Sequence, residues 1–336
     1  MIRSRRFPLR FSLRPWLAGW LVMGCLGVML LPSAALAAPP SARELLDSGR
    51  ADEAVRVLTP QATGDNAAAY NYLGRVYFTL RDWDNAVRNC ERAVQIAPNS
   101  AEFQLWLGRS YGEKADSAGA LSAYGLARKA VAAFEAARSL DRHNLAIARD
   151  LAEYYATAPA IVGGGDAKAL ALAAEIAPEY PSDAAWVRAM VASRDGQQEE
   201  AERQYTESIR LDHNSSATYL EFARYLRGHK RWNDFEQTIA HALQNPHVRP
   251  VDRFDAAEML LKAGRDLPEA NRQMRAYIQS SRHEEDAPLF RAHYVLGDIL
   301  LKSGDASQAE AEYRAALALA SSYRPAADAL HRMGQR

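Results

Sequence analysis

The chain is poor in nearly everything that marks a chemical site. Only two cysteines, Cys25 and Cys90, occur in its 336 residues. Cys25 falls inside an apolar run near the start, so no disulfide framework can be drawn. The eight histidines are scattered, and no two share a metal-ligand spacing with a carboxylate between them. A Walker lysine, a G-x-S-x-G elbow and a glycine fingerprint between strand and helix are all missing. No credible strand run interrupts the helical periodicity. Formal net charge is zero, with 41 basic and 41 acidic residues, and no basic face gathers to hold nucleic acid. The expectation is a non-enzyme with no catalytic residues, no metal and no cofactor.

The first 37 residues stand apart. Arg3, Arg5, Arg6, Arg10 and Arg14 precede the first carboxylate, Glu44, and without them the balance is 36 basic to 41 acidic. An apolar run from Trp16 to Leu31 follows, then the small residues Ser33 to Ala37. Ala35-x-Ala37 fits a signal-peptidase site with cleavage before Ala38. The run is about 16 residues, short for a membrane span. Residues 1–37 therefore read as a cleaved export signal, and the protein as exported, with a bacterial periplasm as the expected destination. A membrane tie would come only through this segment, if it stays uncleaved. Ser4 to Arg10 also resembles a twin-arginine signal, with Pro8 out of place.

What the chain has in abundance is repetition. Ala67 to Ser100 spans 34 residues. Tyr70, Leu73, Gly74 and Tyr77 share one face of a first helix; Ala86, Cys90 and Ala93 share one face of a second; Pro98 stops it. A small residue where two helices cross, here Gly74 and Ala86, lets backbones approach while Leu73, Tyr77 and Val94 fill the surroundings. One such pair cannot cover its own apolar face, so neighbours must stack on it. Cys90 sits at a core position and reads as packing. Residues 38–66 form a linker and a truncated first repeat, with Ser41 and Glu44 as a capping box, Gly49-Arg50 as the turn, and Ala54 and Leu58 in register. The repeat opening at Ala101 carries Leu107, Gly108 and Tyr111, then Ala130, Phe134 and Ala137. Its excess of ten residues falls near 115–125, as an inserted loop or an extension of both helices. The stretch 145–181 is the least regular, with Pro159 and Gly163-Gly164-Gly165 between its helices and Asp166 as an N-cap. Regularity returns in Ser182 to Ser215, Ser216 to Val248, Val251 to Arg282 and Phe290 to Ala320. Residues 321–336 supply a capping helix. About six full or modified repeats are expected in a solenoid over 67–320, irregular over 101–181.

The pattern resembles that of tetratricopeptide-repeat proteins, with Tyr for Trp and Cys for Phe in the repeat at Ala67, and the likeness covers nearly all of Ser41 to Met333. Gly108 to Lys114 with the alanine-rich excess, and Ala158 to Gly165 downstream, resemble a group of exported bacterial members of unassigned role. The resemblance implies an all-α, right-handed superhelical solenoid that binds a protein or peptide on its concave face as scaffold, adaptor or co-chaperone. First helices would line that face. The residues placed there are Asn71, Arg75, Phe78, Glu102, Arg109, Glu113, Trp186, Arg224, Arg227 and Tyr294, with Arg149, Glu153 and Met190 beside them. Arginines grip carboxylates in bidentate fashion and aromatics supply buried anchors. A second reading is an accessory subunit or enzyme, with a small-molecule or glycan site at the 115–125 excess and an anion loop at Gly163, Gly164 and Gly165 that opens a helix.

Overall fold

The computed structural model describes residues 41–335, which belong to one compact unit. The expected export signal, with Cys25 and the Ala35–Ala37 site, lies outside the described residues. Among those described there are seventeen α-helices, two short 3-10 turns and no strand. None of these helices is long and apolar enough to cross a membrane.

The helices run as consecutive pairs. α1 (Ala42–Asp47) and α2 (Ala51–Leu58) make the shortened first pair. Three pairs follow: α3 (Ala67–Thr79) with α4 (Trp83–Ile96), α5 (Ala101–Ser117) with α6 (Ala120–Leu140), and α7 (Leu145–Thr157) with α8 (Asp166–Ile176). Four more complete the array: α9 (Pro181–Arg194) with α10 (Gln198–Leu211), α11 (Ser216–Gly228) with α12 (Trp232–Gln244), α13 (Pro250–Ala263) with α14 (Leu267–Ile278), and α15 (Leu289–Lys302) with α16 (Ala306–Leu319). α17 (Arg324–Gly334) closes the end. Seven full pairs therefore stand where about six were expected, because the irregular stretch at 145–181 still forms a complete pair.

Local chemistry sets the boundaries. Ser41 and Glu44 form the expected capping box of α1. Asn66, Asp82, Ser100, Asn144, Ser215 and Asp305 each accept a hydrogen bond from an amide of the first turn they precede. Asp166 does not do this: Gly165 is the N-cap of α8, and Asp166 turns to Arg194 at 3.3 Å.

Within the pairs the small residues act as expected, through one recurring contact. A Cβ on Gly74 would lie 2.4 Å from the Cys90 sulfur, one on Gly108 2.6 Å from the Phe134 ring, and one on Gly297 2.5 Å from the Tyr313 ring. Each core side chain of a second helix rests on the bare backbone of the first. Cys90 is fully buried, and burial pushes its thiol up to about 12, so it packs and does not react.

The ten-residue excess is not a loop. α5 has 17 residues and α6 has 21, against 13 and 14 in α3 and α4, with only Ala118 and Gly119 between them. Both helices are lengthened and the pair projects beyond its neighbours. Leu121 near the tip is 94% exposed.

First helices pack on first helices, α1 on α3, α3 on α5, α7 on α9, α11 on α13 and α13 on α15, and so form the inner face. The superhelix turns far enough for its ends to meet. The Gly49 turn abuts the start of α15, where a Cβ would stand 2.4 Å from the Leu289 amide nitrogen. Asp52 of α2 accepts a hydrogen bond from the Ser321 amide at 2.9 Å.

Candidate functional site on the inner face

Arg75 is where the sequence reading and the structure part. Its place in the repeat puts it on the inner face, and there it is, but only 2% exposed. Its Nε donates to Glu285 Oε1 at 2.8 Å, a second guanidinium nitrogen binds the other oxygen of the same carboxylate, and a third donates to Glu102 at 2.6 Å. The guanidinium is flanked by the rings of Tyr72, 5.0 Å away, and Trp106, 4.7 Å away. Burial opposes its charge, yet Glu285 and Glu102 outweigh burial and hold its pKa above the ordinary value. Asn71 beside it is 1% exposed. Neither side chain is open to a partner in this state, which corrects their placement among free concave-face residues. Trp186 is corrected likewise: it is 5% exposed and lies under Arg149, 4.2 Å from its ring.

Glu285 belongs to the connection between α14 and α15, residues 279–288. Most other connections between repeats, such as 97–100 and 141–144, have four residues; this one has ten. The sequence reading passed over it, although its length and its Glu284-Glu285-Asp286 run were both visible. Register arithmetic, which found the helices, gives no weight to what lies between them.

The remaining candidates divide by location. Phe78 meets Trp83 and Trp106 edge-on, both at 5.5 Å. Arg109 lies over the Trp106 ring, 4.6 Å from its centre, and pairs with Asp150 at 2.5 Å. Arg224 is half-exposed, 3.8 Å from Glu221, and Arg227 is partly buried nearby on α11. Tyr294 packs on Tyr313 and Tyr323. So Phe78, Arg109 and Glu113 gather with Arg75 and Glu102 at one end of the inner face, while Trp186, Arg224 and Arg227 lie along another stretch of it.

A cavity of about 690 Å³ opens where the irregular pairs meet the Arg109 side of the groove. Phe78, Phe134, Tyr154, Pro159 and Val162 form apolar walls; Glu113, Asp116, Asp150, Glu153 and Asp286 bring five carboxylates, against the single guanidinium of Arg109. Asp150 is matched by Arg109. Among the described residues, Glu113, Asp116 and Glu153 have no ion-pair partner. Burial in the groove raises the carboxyl pKa of Glu113, and burial, then the Glu221 charge, raises that of Glu153.

The glycine loop follows Pro159 and Val162 of the cavity wall, and its own three amides are already engaged within the chain. The amides of Gly163, Gly164 and Gly165 donate to the carbonyls of Ala160, Pro159 and Tyr155, at 3.0, 3.2 and 2.8 Å. Gly164 approaches so closely that a Cβ would stand 2.0 Å from the Ala158 oxygen. The three glycines let the chain reverse tightly under α6, which is a different reason for their presence.

Comparison with known proteins agrees with this architecture. Residues 67–100 and 290–323 each match the tetratricopeptide repeat family model. The crystal structure of yeast Tom70 superposes with a TM-score of 0.53 at 16% identity, covering 85% of this chain. The chain spans 59% of Tom70's length. Pseudomonas aeruginosa PilF gives a TM-score of 0.39 at 17% identity, over 66% of this chain and 94% of PilF. A tetratricopeptide repeat protein from Parabacteroides merdae gives 0.39 at 14% identity, over 78% of this chain and 99% of its own. No curated protein matches the chain by sequence. Two of the helix pairs are thus tetratricopeptide repeats by sequence, and the array as a whole has the fold of such a helix-pair solenoid.

Proposed function

We propose that the protein is a non-catalytic scaffold of the bacterial cell envelope, gripping a protein partner by a segment that carries lysine or arginine. The seat of that segment is the cavity between α5, α6 and α7. The observation that carries this reading is the charge imbalance there, five carboxylates against one arginine. A carboxylate that gives up water without gaining a cation is held at a cost in free energy. Glu113 and Glu153 are in that position, and a guanidinium or ammonium laid between them relieves both. Phe78, Phe134 and Tyr154 offer apolar contact to the stem of such a side chain. The envelope setting rests on the arginine-rich, then apolar, opening of the sequence.

The test is affinity capture from envelope extract with quantitative mass spectrometry, comparing the native chain with a Glu113→Lys, Glu153→Lys variant. One stoichiometric partner is expected with the native chain, reduced at least tenfold with the variant at unchanged helicity. Equal recovery by both chains would remove the cavity from the reading. Capture should also weaken as pH falls toward 5, because the two raised carboxyls take up protons earlier than ordinary ones.

A further inference from the structure

Repeat solenoids are held together by contacts between neighbours, and the 279–288 connection breaks that rule. Glu285 reaches across to Arg75, 210 residues earlier in the chain. The loop is braced from its own side before it gets there. The Tyr277 hydroxyl donates to the Ala287 carbonyl and accepts from the Glu284 amide at 3.4 Å. Arg291 donates to the Asp286 carbonyl at 3.1 Å. Held in this shape, the loop presents Glu285 and Asp286 together. Glu285 fills the fork of Arg75, and Asp286 faces the cavity that Arg109 lines.

The receiving surface is equally distinct. Tyr72, Arg75, Trp106 and Arg109 alternate ring and guanidinium, each cation within about 5 Å of a ring. Planar forks set between aromatic faces match carboxylates in bidentate geometry. Apart from this pair, the two ends of the superhelix meet at Gly49 against Leu289, at Asp52 against Ser321 and across the cavity that Arg81 shares with Glu258, Tyr294 and Lys302. These contacts join elements that also pack on their own neighbours, so the closure can open without unfolding either end.

We infer that residues 284–286 are a built-in ligand: an acidic hook that occupies the Tyr72–Arg75–Trp106–Arg109 cleft, latches the superhelix closed, and excludes other acidic segments from that cleft. This goes beyond the scaffold reading and does not need it: the cleft and the basic-segment cavity adjoin at Arg109 and Asp286, but the latch can be tested with no partner present.

The probe is a fluorescein-labelled peptide of residues 279–290, read by anisotropy against the full chain. Native protein should bind it at least tenfold more weakly than a Glu285→Ala variant, whose cleft is vacated. Glu285→Ala within the peptide should abolish binding to that variant. Small-angle scattering should show a larger radius of gyration for Glu285→Ala, restored by the charge exchange Arg75→Glu with Glu285→Arg. An unchanged radius together with no peptide binding overturns the proposal. Should Glu285→Ala fail to fold, hydrogen exchange on the native chain decides. The amides of 282–287 must open while α3, α5 and α15 stay protected, and exchange only through global unfolding sinks the latch.

Discussion

Arg75 and Arg224 hold the same register position in two repeats, three residues beyond Tyr72 and Glu221 respectively, and their fates are opposite. Arg75 has 2% of its side chain exposed and is bound by two carboxylates; Arg224 has 52% exposed and stands 3.8 Å from Glu221. The helices are alike. What differs is the opposite wall: Arg75 is capped by the 279–288 loop, whereas Arg224 stays half-exposed among the carboxylates of its own and neighbouring repeats, Glu221 and Asp255 among them. Register decides which side chains point inward, and the curvature summed over many pairs decides which of them find something there. Replacing Arg75 with Ala should cost about 3–5 kcal/mol in urea denaturation, since Glu285 is left buried without its cation. Arg224→Ala should cost less than about 1 kcal/mol, as expected of an exposed pair. Equal costs would break the comparison, and would mean that the loop does not hold Arg75 in solution.

That contrast also marks how far the sequence could be read. The pairs were legible because Gly74, Gly108 and Gly297 each sit where a Cys90, Phe134 or Tyr313 side chain must rest on backbone, a local constraint that returns with every repeat. The cavity was half legible. Its location follows from two departures in neighbouring repeats, at 115–125 and 163–165, but the carboxylates lining it come from α5, α7 and the distant Asp286. The latch was not legible at all. Its two halves are 210 residues apart, and no periodicity links a turn to the helix it meets after the superhelix has come round. The glycine loop misled because three glycines before a helix read as an anion cradle, while the amides were already bonded to Tyr155, Pro159 and Ala160.

The groove contains a second kind of contrast, between a buried charge that is matched and one that is not. Arg75 keeps its charge through Glu285. Asp255 on α13, half-buried in the channel, has its carboxyl raised to about 7, first by burial and against the pull of Arg224 and Arg291. Glu258 and Asp252 add to the rise. A carboxyl raised in the folded state binds a proton that the unfolded chain has already lost, so stability should fall as pH climbs from about 4 to about 7 and stay low above it. Asp255→Asn should therefore raise stability at pH 8 by about 1–2 kcal/mol and flatten that slope. Thermal melts at pH 5 and pH 8 measure it. A variant that loses stability at pH 8 would place Asp255 among the matched charges with Arg75.

The smallest effect separates the two irregular regions from each other. Gly164 has no room, whereas Gly125 has nothing within 4 Å of where a Cβ would lie. It sits inside the lengthened first third of α6, exposed. If residues 115–125 extend the helices, Gly125 is a helix-interior glycine with its full conformational penalty, and Gly125→Ala should stabilise by about 0.5–1 kcal/mol. Had the excess been an inserted loop, the same change would give no gain. The measurement is a pair of thermal melts at one pH with far-UV circular dichroism. A rise in the midpoint with unchanged or slightly greater helicity supports the projecting helical pair, whereas a fall or no change would return 115–125 to the loop that the sequence equally allowed.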